Sequence, residues 1–212
     1  MTIEKMNVHK ALCELKILDD RILKAITACK FVAVKKVASK MVDNKSVDDY
    51  KATERANYER VQDLIARREA IKRAVVLSNA ITKVTIGGVE YTIAEAIEMK
   101  NHGLDGKRKL RDSLSSTIRY VESNVEMVNQ EAERKADAHV VGIAGGKDVK
   151  AEETKAIREG YLAGIVVEMV DPLPGGAKEI LKKLDDEIND FVVEVDAVLS
   201  TSNALTEITV EY

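Results

Sequence analysis

The chain has 212 residues, a formal net charge of −3, 45% apolar, 33% charged and only 4% aromatic residues, with two Pro, two Cys and no Trp. That composition excludes a disulfide scaffold and a base-stacking aromatic platform, and favours long helices whose exposed positions carry Lys and Glu. The charge is uneven, +8 over residues 1–111 and −11 over 112–212. Such a split marks either an anion-binding surface on the first half or attraction between the halves, within a chain or between subunits.

In chain order, the start MTIEKMNVHKALCELK lacks the apolar core of a signal peptide, so the cytoplasm is the expected compartment. Val8, Ala11, Leu15, Leu18, Ile22, Ala25, Cys29 and Val32 step by three and four, which predicts a first helix over about residues 3–38. Cys13 lies in the same stretch, and Cys29 reads as a small seam residue. Residues 41–45 read as a loop. Ser46 with Asp49 then signals the start of a second helix running to about Leu77. Val47, Tyr50, Val61, Leu64, Ile65, Ile71 and Val75 mark its inner face, with Arg67, Arg68, Lys72 and Arg73 on the outer one.

Residues 78–86 (Ser-Asn-Ala-Ile-Thr-Lys-Val-Thr-Ile) and 202–210 (Ser-Asn-Ala-Leu-Thr-Glu-Ile-Thr-Val) match in residue type except at Lys83 and Glu207. Each block closes a helix and opens a β-branched run, so two helices end alike and are expected to meet. The first run passes through Gly87-Gly88 into a hairpin spanning 82–91. The final strand, Thr206–Val210, is expected to pair with that hairpin, setting Lys83 opposite Glu207.

Thr92-x-x-Glu95 is a capping box for a third helix over about residues 93–139. Its narrow seam of Leu114, Ile118, Val121, Val125, Val128 and Ala132 asks for a partner helix, and so for a homo-oligomer. Residues 140–150 form a Gly-rich connector, followed by a short helix over 151–159 and an apolar β-branched run over 162–170. Asp171-Pro-Leu-Pro-Gly-Gly breaks the chain before a last helix over 176–199. That helix turns Ile188, Phe191 and Val195 inward and Asp185, Asp186, Glu187, Asp190 and Glu194 outward. The fold class is mainly α: one domain over residues 1–212, a long antiparallel helical bundle with a small hairpin-containing sheet at one end.

No catalytic signature emerges, and no cofactor is expected. Gly142–Asp148 is one residue short of a phosphate loop and places Asp148 where Ser or Thr would hold magnesium. His9, His102 and His139 have no metal-ligand spacing, and no nucleophile elbow occurs. The strongest candidate is 100–111, where Lys100, His102, Lys107, Arg108 and Arg111 surround Gly103 and Gly106. A glycine in a helix costs about 1 kcal/mol relative to Ala, a cost met where a ligand or another helix approaches the backbone. With helices two and three as antiparallel arms, Arg67, Arg68 and Lys72 are expected at the same level. Together these eight residues predict an anion pocket, since Arg forks bind phosphate or carboxylate bidentately. The alternative is a solvated face with Asp63, Glu69, Asp105 and Asp112 as partners. Neither nucleic acid nor a membrane is an expected partner, because no recognition fold or large apolar anchor is evident.

The helix motifs Lys-Ala-Leu-x-Glu-Leu and Asp-Asp-Arg-Ile open the pattern. Ile-Lys-Arg before Ser-Asn-Ala-Ile-Thr, then Tyr-Thr-Ile-Ala-Glu-Ala-Ile and the terminal Ser-Asn-Ala-Leu-Thr-Glu-Ile continue it. In this order they resemble a bacterial and phage family often labelled septicolysin. The sequence departs from that family's pattern in lacking its terminal Trp, in having Gly103 and Gly106, and in the 140–150 insertion. The resemblance carries no catalytic residues, and the cytolytic label finds no membrane-active segment here. Its phage members imply a role against host defence. The resulting expectation is a non-catalytic homo-oligomer that captures a small anionic, nucleotide-like ligand, as a phage sponge for a host immune signalling nucleotide would. The alternative is a structural or protein-interaction bundle with no small ligand.

Overall fold

The computed structural model of the chain describes residues 2–144 and 151–212. The Gly-rich connector read at 140–150 therefore lies largely outside the described residues; residues 140–144 continue the preceding helix. The fold is mainly α, with six α-helices and three separate two-stranded antiparallel sheets among the described residues. The elements are β1 (Ile3–Asn7), α1 (Val8–Ala28), β2 (Met41–Val42), β3 (Lys45–Ser46), α2 (Val47–Ile81), β4 (Lys83–Ile86) and β5 (Val89–Thr92). There follow α3 (Ile93–Glu98), a π-helical turn (Met99–Gly103), α4 (Asp105–Ala144), α5 (Ala151–Leu162), α6 (Ala177–Leu205) and β6 (Glu207–Glu211). They form two compact units, one of Met1–His102 with Asp190–Tyr212 and one of Gly103–Asn189.

In the first unit the core joins Met6 of β1, Val8, Ala11, Leu15 and Leu18 of α1, Ile71 and Val75 of α2, and Ile208 and Val210 of β6. The two start signals read in the sequence form as expected. Ser46 Oγ accepts the Asp49 N–H at 3.1 Å, and Thr92 and Glu95 make both bonds of a capping box. The hairpin β4–β5 turns on Gly87 and Gly88, both at positive φ (57° and 76°), the pair of left-handed residues that a tight two-residue turn needs. A side chain at Gly87 would also press on Asp190, its Cβ falling 3.3 Å from that of the aspartate.

Several expectations are corrected. The first helix begins at Val8, because Ile3–Asn7 is a strand, and it ends at Ala28 rather than near 38. Beyond it Glu54 of α2 accepts the N–H groups of Lys30 and Phe31 at 3.1 and 3.0 Å, removing two donors from any continuing helix. Phe31 takes φ +43°, and Val32, read as a seam residue, is 85% exposed. Helix two runs on to Ile81 and the last helix to Leu205, past the ends read at about Leu77 and 199. The third helix is not continuous: the π-helical turn, ending at Gly103, separates α3 from α4. The run 162–170 pairs with no strand.

The final strand is the largest correction. β6 pairs with β1, not with the hairpin, in the register Asn7↔Glu207 to Ile3↔Glu211. Lys83 accordingly meets Glu90 at 2.7 Å rather than Glu207. The nine-residue repeat nevertheless has a structural meaning. The Thr82 N–H donates to Ser78 O at 2.9 Å, and the Thr206 N–H to Ser202 O at 2.9 Å. Ile93 N–H then reaches Thr82 O at 2.9 Å, and Val8 N–H reaches Thr206 O at 3.0 Å. Lys83 pairs with Thr92 where Glu207 pairs with Asn7, and Ile86 with Val89 where Val210 pairs with Glu4. So α6–β6 with β1–α1 repeats α2–β4–β5–α3. The first strand of the chain takes the place of the returning strand of a hairpin. The ends close on each other, with Thr2 N–H to Tyr212 O at 2.7 Å and Tyr212 N–H to Thr2 O at 3.1 Å. The twin blocks do lie side by side. Thr82–Thr85 and the stretch from Ala197 to Thr206 line one shallow groove.

Candidate functional site

Within the first unit, Arg67 is a structural hub rather than a free cation. Its Nε donates to Glu14 at 2.5 Å, its Nη2 to Glu4 at 2.9 Å and its Nη1 to the Tyr212 hydroxyl, while the guanidinium lies 4.8 Å from the centre of the Tyr212 ring. These bonds pin α2 to α1, β1 and the chain end. The Glu14 hydrogen bond pushes the Arg67 pKa further above its already high value. Arg68 is bound by Asp19, which raises its pKa likewise. Lys100 reaches Asp196 at 2.5 Å, and His102 is exposed without a polar contact among the described residues.

Within the second unit, Lys107 meets Glu187 at 2.6 Å, and Arg108 lies 3.9 Å from Asp105. Arg111 pairs with Asp112 at 2.7 Å and Asp185 at 3.6 Å, and its pKa is raised, mainly by Asp112. A Cβ added at Gly106 would meet open space, so no close approach explains that glycine. Six of the eight predicted residues are therefore neutralised by carboxylates of their own unit. The acids expected as partners account for two of these pairs, Asp105 and Asp112. Arg68 and Lys72 do line one depression of about 370 Å³ on α2, beside Arg73, Val76 and Leu77. It is formed by a single helix.

The better concavity lies elsewhere in the second unit, between α4 and the segment that follows it. Three contacts build it. The rings of His139 and Tyr161 stack with centres 4.6 Å apart. Arg158 of α5 bridges Glu133 and Asp137 of α4, reaching Asp137 at 2.9 Å. The Asn129 amide both donates to Val167 O at 2.8 Å and accepts from Val167 N at 2.9 Å. Between these ties lies a groove of about 810 Å³ whose lining includes Met127, Glu131, Arg134, Lys135, Tyr161 and Ile165. Glu131 serves both cations, at 2.8 Å from Arg134 and 3.6 Å from Lys135, so two positive groups face one carboxylate. The Arg134 side chain is 79% exposed. Met127, Tyr161 and Ile165 give the lining its apolar and aromatic part.

The sequence reading missed this groove. Its only cue was the spacing of Met127, Glu131 and Arg134 by four and three, which puts them on one helix face beside the seam residues Val128 and Ala132. Nothing local marked Tyr161 as its opposite wall. Among the described residues no group of three or more His, Cys, Asp or Glu is placed to hold a metal ion, and no helix is long and apolar enough to cross a membrane. No protein-family model matches the chain, and no curated protein or solved structure matches it significantly.

Proposed function

We propose that this is a non-catalytic, homo-oligomeric binding protein that captures a small anionic, nucleotide-like ligand, and that the α4–α5 groove is where it does so. The supporting observation is the groove's chemistry: Arg134 and Lys135 share its lining with Met127, Tyr161 and Ile165, in a volume typical of small-molecule sites. The cations would take phosphate, and the apolar and aromatic wall would take a planar ring. In a phage, the setting implied by the septicolysin-like motifs, such a trap would act as a sponge for a host immune signalling nucleotide. The basic residues first singled out would then serve the fold.

A nucleotide panel tested by thermal shift and calorimetry checks this reading, because a ligand that binds only the folded chain raises its melting temperature. Arg134→Ala with Lys135→Ala should weaken binding roughly tenfold or more, since each charge-assisted hydrogen bond contributes about 1.5–3 kcal/mol. Lys107→Ala with Arg111→Ala should leave binding unchanged. The reverse pattern would return the site to residues 100–111. Recovery of a chemically altered ligand would make the protein an enzyme.

A further inference from the structure

Two stretches of the chain are apolar, neither turn nor bend for most of their length, and paired with no strand: residues 29–36 and 166–172. In the first, Val34 is 98% exposed, as is Val37 just beyond it; in the second, Val170 is 82% exposed. Among the described residues the N–H groups of Ala33, Val34 and Lys35, and those of Glu168, Met169 and Val170, donate to nothing. Exposed valines beside unused backbone donors make an open strand edge, which is a template for pairing.

The second stretch is already held along one side. Asn129 of α4 occupies both backbone groups of Val167, as a neighbouring strand would. Backbone groups alternate in direction along an extended chain, so Glu168 and Val170 turn theirs to the opposite, open edge. The charges say what fits there. Residues 29–40 carry Lys30, Lys35, Lys36 and Lys40 with no acid, whereas residues 162–171 carry Glu168 and Asp171 with no base. The first stretch belongs to the positive half of the chain and the second to the negative half.

We propose that residues 33–36 of one copy add as an antiparallel strand to residues 168–171 of a second copy, with Val34 opposite Val170 and Lys36 opposite Glu168. The pairing covers the valines, uses the idle donors of Val34, Glu168 and Val170 and places unlike charges face to face. Because the two surfaces differ, the contact is head-to-tail and builds a ring or an open filament. It does not depend on the groove's holding a ligand.

The test uses the full chain with Cys13→Ser, which removes the exposed native thiol. Chains with Val34→Cys are mixed with chains with Val170→Cys and oxidised. Directly paired strand positions lie within reach of a disulfide, so a mixed dimer is expected that neither chain forms alone. In parallel, light scattering follows association of Lys36→Glu, which should weaken about fivefold, and of Lys36→Glu with Glu168→Lys, which should recover it. Self-linking of the Val170→Cys chain would mean that the stretch pairs with its own copy, and overturns the proposal. So does a chain that stays monomeric at every concentration, leaving the edge to a foreign partner. So does equal association of the native chain and the two charge variants.

Discussion

Arg67 was first a candidate ligand-binding residue, and its surroundings recast it as a brace. Arg67→Met keeps the aliphatic stem against α1 but deletes three hydrogen bonds, to Glu14, Glu4 and Tyr212. The side chain is only 21% exposed and Glu14 only 19%, so water restores these partners incompletely. A fully buried pair broken on one side costs about 3–5 kcal/mol, and an exposed one costs at most about 1 kcal/mol. Arg67 lies between these limits, so the loss is about 2 kcal/mol, or about 4–8 °C in melting temperature for a chain of this size. The effect has a pH signature. The Arg67 hydrogen bond, with a smaller one from Lys10, holds the Glu4 carboxyl below the ordinary glutamate value of 4.5. A carboxylate with a lowered folded pKa stabilises above its unfolded pKa, and that stability disappears as pH falls through the folded value. The gap between the native chain and Arg67→Met should therefore be full at neutral pH and narrow below 4.5. Differential scanning fluorimetry across pH measures it. An Arg67→Met chain that melts with the native protein yet loses nucleotide binding would refute the bracing role and restore Arg67 to a ligand site.

Thr92→Ala removes the side chain that accepts the Glu95 N–H at 3.2 Å, and with it half of the capping box on α3. The loss should be about 1 kcal/mol, read as a lower urea midpoint at unchanged slope. Asn129→Ala frees both backbone groups of Val167, so exchange of the Val167 amide should accelerate while α1 and α2 keep their protection, as hydrogen–deuterium exchange of the segment that contains Val167 would show.

Much of the local structure was legible residue by residue. Ser46–Asp49 and Thr92–Glu95 start helices because a side-chain oxygen three residues away satisfies an otherwise unpaired N–H, an interaction that needs no tertiary contact. Gly87-Gly88 makes its turn because both residues sit at positive φ, and Val61, Ile71 and Val75 face the core because helical spacing puts them there. The seam drawn through Cys29 and Val32 failed where Glu54, from another helix, took up the backbone donors of Lys30 and Phe31.

The composition and periodicity of the chain determined that it is mainly helical, where most helices begin, and that two of them end in the same nine-residue way. Only the tertiary structure decided that the last strand lies on the first, that most of the predicted basic residues are neutralised by nearby acids, and that a groove forms between α4 and α5. The reason is range. A cap or a turn is chosen by atoms within four residues. A strand edge or a free carboxylate accepts any of several partners along the chain, and which one arrives depends on how the apolar faces pack.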